Sequence, residues 1–277
     1  MLEAHSITVT YGSRRVLDRV DFTAKAGEMT AIVGPNGSGK TTLLKAITGE
    51  IVASGMTRLD GQNIAKMSPS ELATRRAVLP QSGHVAFPFT VLELVRLGLT
   101  RGFATSATTG HDTLPHQALA RVGLSGFEGR SVQELSGGER QRVQLARVLL
   151  QIWEPVLDDT PRWLFLDEPV SALDIGHQLV VMQIAHDFAQ MGGGVVAVMH
   201  DLNLTAMFAD RVTLLDQGRV QGVGTPKEVF TDAHLSACYG CTLRTNTPPP
   251  FGGPWILPQA ASHPPNHIRT SARAPHS

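Results

Sequence analysis

Three short apolar runs, broken only by Thr30 in the first, punctuate the chain. Met29 to Val33 ends at Gly34, Trp163 to Leu166 ends at Asp167-Glu168-Pro169, and Val195 to Met199 ends at His200-Asp201. Runs of this length without alternation predict strands buried on both faces, and a helical stretch from Thr41 to Ile47 follows the first of them. The pattern predicts a parallel α/β sheet. Ligands of such sheets bind beyond the carboxyl ends of the strands, which is where the glycine and the polar residues stand. The beginning of the chain differs. Ile7–Thr10 and Arg15–Phe22 alternate, which predicts an antiparallel hairpin turned at Gly12-Ser13. From Val91 to Leu150 the pattern becomes helical, interrupted by a Ser/Thr/Gly-rich stretch, Thr105–Thr113, expected as an exposed loop. Residues 248–277 hold eight of the 17 prolines and no periodicity, so a disordered tail is expected there.

Composition changes this picture little. With 277 residues, 42% hydrophobic and 17% charged, the chain can bury roughly 75% of its unfolded surface. A formal net charge of zero offers no electrostatic sign of nucleic-acid binding. The two cysteines, Cys238 and Cys241, make no disulfide framework and suit a reducing cytoplasm; as a zinc site they lack further ligands. Met1–Thr10 lacks the layout of a signal peptide, and no apolar run approaches the roughly 18 residues that span a bilayer. Any membrane association is therefore expected to come through a partner.

The chemistry is concentrated in three motifs. Gly34-Pro35-Asn36-Gly37-Ser38-Gly39-Lys40-Thr41, followed by Thr42, fits G-x-x-x-x-G-K-[ST] between a predicted strand and a helix. Its glycines free backbone N–H groups to surround phosphate oxygens, and the helix N-terminus adds its dipole. Lys40 is expected on the β- and γ-phosphates of ATP and Thr41 on Mg²⁺. Second, the strand Trp163–Leu166 delivers Asp167, a candidate Mg²⁺ ligand, and Glu168, a candidate general base. A solvated loop would explain such an acidic pair alone, but not one some 120 residues after a phosphate loop. Third, Leu135-Ser136-Gly137-Gly138-Glu139 begins an apolar helix. A capping box accounts for Ser136 and Glu139. It does not account for two glycines in the first turn, each costing up to about 1 kcal/mol relative to Ala. Bare backbone at a helix start is what a phosphate requires.

With these motifs in this order and spacing, the chain from about residue 2 to residue 245 resembles the ABC transporter ATPase family, with Leu135–Gln141 as its signature. The resemblance implies a P-loop NTPase core with a parallel sheet, an N-terminal antiparallel β subdomain and an inserted α-helical subdomain at about 83–150, together making an ABC ATPase domain over 1–245. Residues 246–277 remain as the Pro-rich tail. The resemblance also implies further roles. Tyr11 stacks on adenine, the alternative being a buried strand aromatic. Gln81 senses Mg²⁺ and links to the membrane subunit. Ser171-Ala172-Leu173-Asp174 crosses a dimer interface, and His200 contacts the γ-phosphate. Val170 stands where Thr is common. The implied assembly is a head-to-tail homodimer, each P-loop facing the other copy's signature, with two polytopic permease subunits and a periplasmic solute-binding protein. It would sit peripherally on the cytoplasmic face of the inner membrane and bind no nucleic acid.

The segment Gln151-Ile152-Trp153-Glu154-Pro155 to Pro161-Arg162 is longer than such links commonly are. With Ala86–Val91, it resembles the haem (hemin) import ATPases, relatives of the siderophore and vitamin B12 import ATPases. The rival class is a soluble, non-transport ABC ATPase acting on DNA ends or ribosomes. Those carry very long coiled coils between the nucleotide motifs, or two ATPase units in one chain. Here one unit is present, and about 125 residues separate Lys40 from Asp167 without sustained heptads.

Overall fold

The computed structural model describes residues 1–81, 87–99, 112–250 and 252–260. Ala86, most of the Thr105–Thr113 stretch and the tail histidines His263, His267 and His276 lie outside the described residues. Strands β1 (Leu2–Tyr11) and β2 (Arg14–Ala24) form the expected hairpin, closing from Leu2↔Ala24 to Tyr11↔Arg14 around Gly12-Ser13. Leu2, Ala4, Ile7 and Val9 of β1 are buried while intervening positions face outward. Strand β3 (Met29–Val33) and helix α1 (Lys40–Thr48) follow. Then β4 (Ser54–Leu59) and β5 (Gln62–Asn63) return to the hairpin, completing an antiparallel sheet in the order β2-β1-β4-β5.

Helix α2 (Pro69–Arg75) leads into β6 (Arg76–Leu79), and the helical region contains α3 (Val91–Arg96), α4 (Leu114–Arg121) and α5 (Gly137–Gln151). A small hairpin, β7 (Val156–Leu157) with β8 (Thr160–Pro161), precedes β9 (Trp163–Asp167). Next come α6 (Ile175–Gln190), β10 (Gly194–Val198), α7 (Leu202–Phe208), β11 (Arg211–Asp216), β12 (Arg219–Gly224), α8 (Pro226–Val229) and α9 (Asp232–Tyr239).

The main sheet runs β12-β11-β3-β10-β9-β6, parallel except for the antiparallel β12 edge. Every residue of β3, β9 and β10 is buried, because helices cover one face and α1 with the antiparallel sheet covers the other. These three strands are adjacent in the order β3-β10-β9. Their carboxyl ends therefore bring Gly34, His200 and Asp167-Glu168 to one rim. The inner faces of α3, α4 and α5 (Val91, Val95, Ala118, Leu119, Val143, Ala146) share one apolar cluster with the sheet residues Ala31, Leu164 and Leu166.

Order continues beyond residue 245. Asp232 accepts hydrogen bonds from the Thr245 backbone (2.7 Å) and hydroxyl (2.8 Å). Residues 252–260 include a short helical turn at Pro258–Ala260 against α7, where Gln259 Nε2 donates to the Asn203 carbonyl at 3.0 Å. Proline suits a strap of this kind, since an extended segment needs no internal hydrogen bonds.

Candidate active site

The loop between β3 and α1 is shaped by its glycines. Gly34 has φ +149°, and a Cβ there would stand 1.9 Å from the Leu215 carbonyl oxygen of β11. Gly39, at φ +104°, is backed by Leu17 and Val16. Gly37 (φ +77°) has nothing within 4 Å of its Cβ position and, with Asn36, is exposed, while Pro35 is half-buried. The two outer glycines thus solve packing problems, and the middle one leaves the loop open. Ser38 is buried, with Oγ among the buried side-chain oxygens that have no hydrogen-bond partner.

Lys40 is buried and turns into its own loop: Nζ donates to the carbonyls of Gly34 and Pro35, each at 2.9 Å. Burial pulls its ammonium below the ordinary value, and the carboxylates of Glu168 and Asp167 pull it back. One residue on, Thr41 Oγ1 donates to Asp167 Oδ1 at 2.9 Å, joining the phosphate loop to β9; Thr42 beside it is half-buried. Asp167 is 2% exposed. Burial raises its carboxyl above the usual range, the Thr41 hydroxyl opposes this, and the neighbouring Glu168 adds repulsion. A hydroxyl and a buried carboxylate side by side are hard oxygen donors that fit Mg²⁺.

Glu168 holds an uncommon backbone conformation for a side-chain-bearing residue, φ +53°. Its surroundings over-determine it. Its N–H donates to Val198 O (3.2 Å), and its carbonyl accepts from Gln141 Nε2 (3.0 Å) and Ser171 Oγ (3.2 Å). The side chain is thereby aimed across the rim, where Oε1 pairs with Nε2 of His200. His200 follows β10 and precedes Asp201, which caps α7 through the N–H groups of Asn203 (2.8 Å) and Leu204 (2.9 Å). A carboxylate oriented by an imidazole, beside a cation and a candidate metal pair, is the arrangement of a base that activates water.

Gln81 lies just beyond β6, exposed. Tyr11 ends β1 at 53% exposure, so its ring is open to stacking and is not a buried strand aromatic. The signature turn is a complete capping box: Ser136 Oγ accepts from the Glu139 N–H (3.2 Å), and Glu139 Oε2 accepts from the Ser136 N–H (2.8 Å). Leu135 is buried beneath it. The structure separates the two glycines that the sequence treats alike. Gly137 has nothing within 4 Å of a Cβ position. A Cβ on Gly138 would stand 3.0 Å from the Ala172 carbonyl and 3.1 Å from Leu173 Cδ2. Gly138 therefore admits the Ser171–Asp174 loop, and only Gly137 leaves backbone bare. Asp174 in turn caps α6 through the His177 N–H (2.9 Å).

Two participants escape sequence reasoning. Gln141, one turn into α5, ties the signature helix to the Glu168 carbonyl. Tyr239, at the end of α9, brings its phenol near the Gly34 backbone; burial raises the phenol above its ordinary value, Cys238 adds to that, and the Gly34 N–H opposes it. Gln141 lies within the signature, but nothing in that motif announces its tie to Glu168, and Tyr239 belongs to no motif.

A family model described as ABC transporter matches residues 17–171. The hemin import ATP-binding protein HmuV of Jannaschia sp. (strain CCS1) is 62% identical over 94% of this chain and 95% of its own length. HmuV of Mesorhizobium japonicum is 54% identical over 94% and 99%. The dimeric structure of MJ0796, a bacterial ABC transporter cassette, matches with a TM-score of 0.70 at 27% identity, over 82% of this chain and 99% of that one. By motifs, fold and relatives alike, the chain belongs to the ABC transporter ATP-binding family.

Proposed function

We propose that this chain is the ATP-hydrolysing subunit of a haem importer. It works as a head-to-tail homodimer on the cytoplasmic face of the inner membrane, with two polytopic permease subunits and a periplasmic haem-binding protein. The observation that carries the cargo is the 62% identity, over nearly the full length of both chains, with a hemin import ATP-binding protein. Among the described residues no helix is long and apolar enough to cross a membrane, so the transport path belongs to other subunits.

The chemistry follows from the rim of β3-β10-β9. Lys40 exchanges the Gly34 and Pro35 carbonyls for the β- and γ-phosphate oxygens of ATP, with the loop N–H groups and the start of α1 around them. Thr41 and Asp167 are the residues that would hold Mg²⁺, with Gln81 beside them. A Mg²⁺ held by them would supply charge neutralisation to the phosphates as they react. Glu168 takes the proton of the attacking water, and His200 fixes the carboxylate and reaches the γ-phosphate. Tyr11 offers its exposed ring to adenine. The bare Gly137 turn of the partner copy closes the site from the other side, making ATP the adhesive between subunits.

The test is genetic. Cells lacking the gene are given haem, a ferric siderophore or vitamin B12 as the required nutrient. Loss of growth on haem alone, restored by the wild-type gene and not by Glu168→Gln, is expected. Normal growth on haem with lost use of siderophore or vitamin B12 rejects the haem assignment and leaves the ATPase chemistry standing.

A further inference from the structure

The segment Gln151–Arg162 reads from sequence as a neighbour of the helix that carries the signature. The structure places it at the other end. Ser136 caps the start of α5, and the segment leaves its finish, 15 residues later. That is about 22 Å at 1.5 Å per residue. The segment also enters β9 at Trp163, the end opposite Asp167. Direct contact with the nucleotide or the signature turn is therefore excluded.

What the segment does touch is the seam between the helical region and the sheet core. The Trp153 ring packs against the main apolar cluster, and the Arg121 guanidinium lies over it, 4.0 Å from its centroid. Arg121 is the last residue of α4. The Asp187 carboxylate of α6 acts on the same charge. Beside this contact, Gln151 Nε2 donates to the carbonyls of Ala73 (2.9 Å) and Arg76 (3.1 Å), fastening α5 to α2 and β6. Beyond Trp153 the chain is braced on the core. The β7–β8 hairpin turns through Asp158 and Asp159, both at positive φ as a tight two-residue turn requires. The Arg162 N–H donates to Pro155 O at 2.8 Å. Val156 Cγ2 lies 2.9 Å from where a Cβ on Gly192, just past α6, would be.

We propose that Trp153 and Arg121 form the joint that sets the angle of the helical subdomain on the sheet, and so act as positioning residues for the signature in the ATP-bound dimer. The inference rests on the reading that the signature completes the partner's nucleotide site. The geometry is that of a lever. A rotation of about 5° at the joint moves the other end of α5 by about 2 Å, enough to make or break a hydrogen bond. A cation over a ring face suits a joint that must move, because the guanidinium can slide across the face without losing its partner. Trp153 is braced to the core through the hairpin, so movement falls on the Arg121 side.

The experiment uses the full chain with Glu168→Gln, which accumulates the ATP-bound dimer. Trp153→Leu and Arg121→Met are compared for two quantities. One is the dimerisation constant with ATP, from sedimentation. The other is ATP affinity of the monomer at protein concentrations too low for dimers. The dimer contains two joints, so the dimerisation constant is expected to fall about 5- to 30-fold, the effect of two exposed cation–π contacts. Monomer affinity should stay within about twofold, because the P-loop belongs to the core. Trp153→Phe should restore dimerisation, and the double variant should be no worse than either single one. Unchanged dimerisation in both single variants overturns the joint. So does a loss of monomer ATP binding in step with a fall in melting temperature, which would make Trp153 a space-filler. Ser136→Arg in the same assay should block dimerisation; if it does not, the failing element is the composite site, not the joint.

Discussion

The two surfaces proposed to meet on ATP are built to different degrees of completeness. On the P-loop side, nearly every functional group already has an intrachain partner. Lys40 is held by two loop carbonyls, Thr41 by Asp167, and Glu168 by His200. On the signature side, the side chains of Ser136 and Glu139 close on each other's backbone N–H groups, and among the described residues nothing lies within 4 Å of a Cβ position on Gly137. One half is a finished receptor whose groups wait on surrogates. The other is a self-contained helix end that gains a purpose only from outside. Each half can therefore be broken without disturbing the other.

Lys40→Ala makes the sharpest break. It removes the cation from the finished half, and both nucleotide binding and turnover should fall to background while the fold persists, as measured by fluorescent-nucleotide titration and phosphate release. Near-normal turnover would remove the P-loop from the mechanism. Glu168→Gln comes next. Binding should survive, hydrolysis should fall about 10²- to 10⁴-fold, and an ATP-dependent dimer should accumulate on size exclusion. His200→Ala should lose most of the hydrolysis as well. Wild-type turnover in Glu168→Gln would end its role as base.

Gly137→Ala probes the unfinished half. In the isolated subunit, a Cβ at this position meets nothing, and alanine at a helix start should stabilise by a few tenths of a kcal/mol. In the dimer the same methyl crowds the partner's phosphate, and turnover should fall about tenfold. A higher melting temperature with lower activity is the expected pair of results; unchanged activity would show that no phosphate approaches Gly137.

The smallest effect concerns the folded subunit alone. The Asp167 carboxyl is raised above its unfolded value, chiefly by burial. Such a group favours the folded state in its protonated form. Its charged form is a liability that develops as pH climbs above the ordinary carboxylate range and is complete once pH has passed the raised value. Asp167→Asn should remove that liability while keeping an acceptor for Thr41. Without nucleotide, the melting temperature at pH 7 should rise by about 2 °C, a gain on the order of 1 kcal/mol, and the gain should vanish in acid. A gain that persists at low pH would assign the effect to something other than charge burial.

These contrasts also mark what could be read from the chain directly. β3, β9 and β10 were legible because complete burial leaves a near-continuous apolar run, and α1 because a phosphate loop must be followed by a helix. The hairpin at Gly12-Ser13 was legible from alternation. The order of the main sheet was not, since placing β11 beside β3 and β6 beside β9 depends on contacts between residues 181 and 87 positions apart, and β6 is only four residues long. The signature was read in composition but not in function: two adjacent glycines look alike, and only the approach of Ala172 and Leu173 shows that Gly138 serves packing. Gln141 acts through one hydrogen bond to the Glu168 carbonyl, and Tyr239 reaches the Gly34 backbone from the far end of the chain; no spacing rule announces either. The link at Trp153 was visible as an oddity, yet its position had to come from the length and direction of α5.

The lysine held by its own loop has a thermodynamic consequence. Nucleotide does not enter a vacant electrostatic trap. It displaces a resident ammonium donor from two carbonyl acceptors, so binding is an exchange whose enthalpy is largely cancelled at the moment of entry. Small anions that offer too few oxygens to complete the trade gain little from it, whereas a triphosphate satisfies the cation and the loop N–H groups at once. If the proposed exchange holds, selectivity for a polyphosphate begins before adenine is reached.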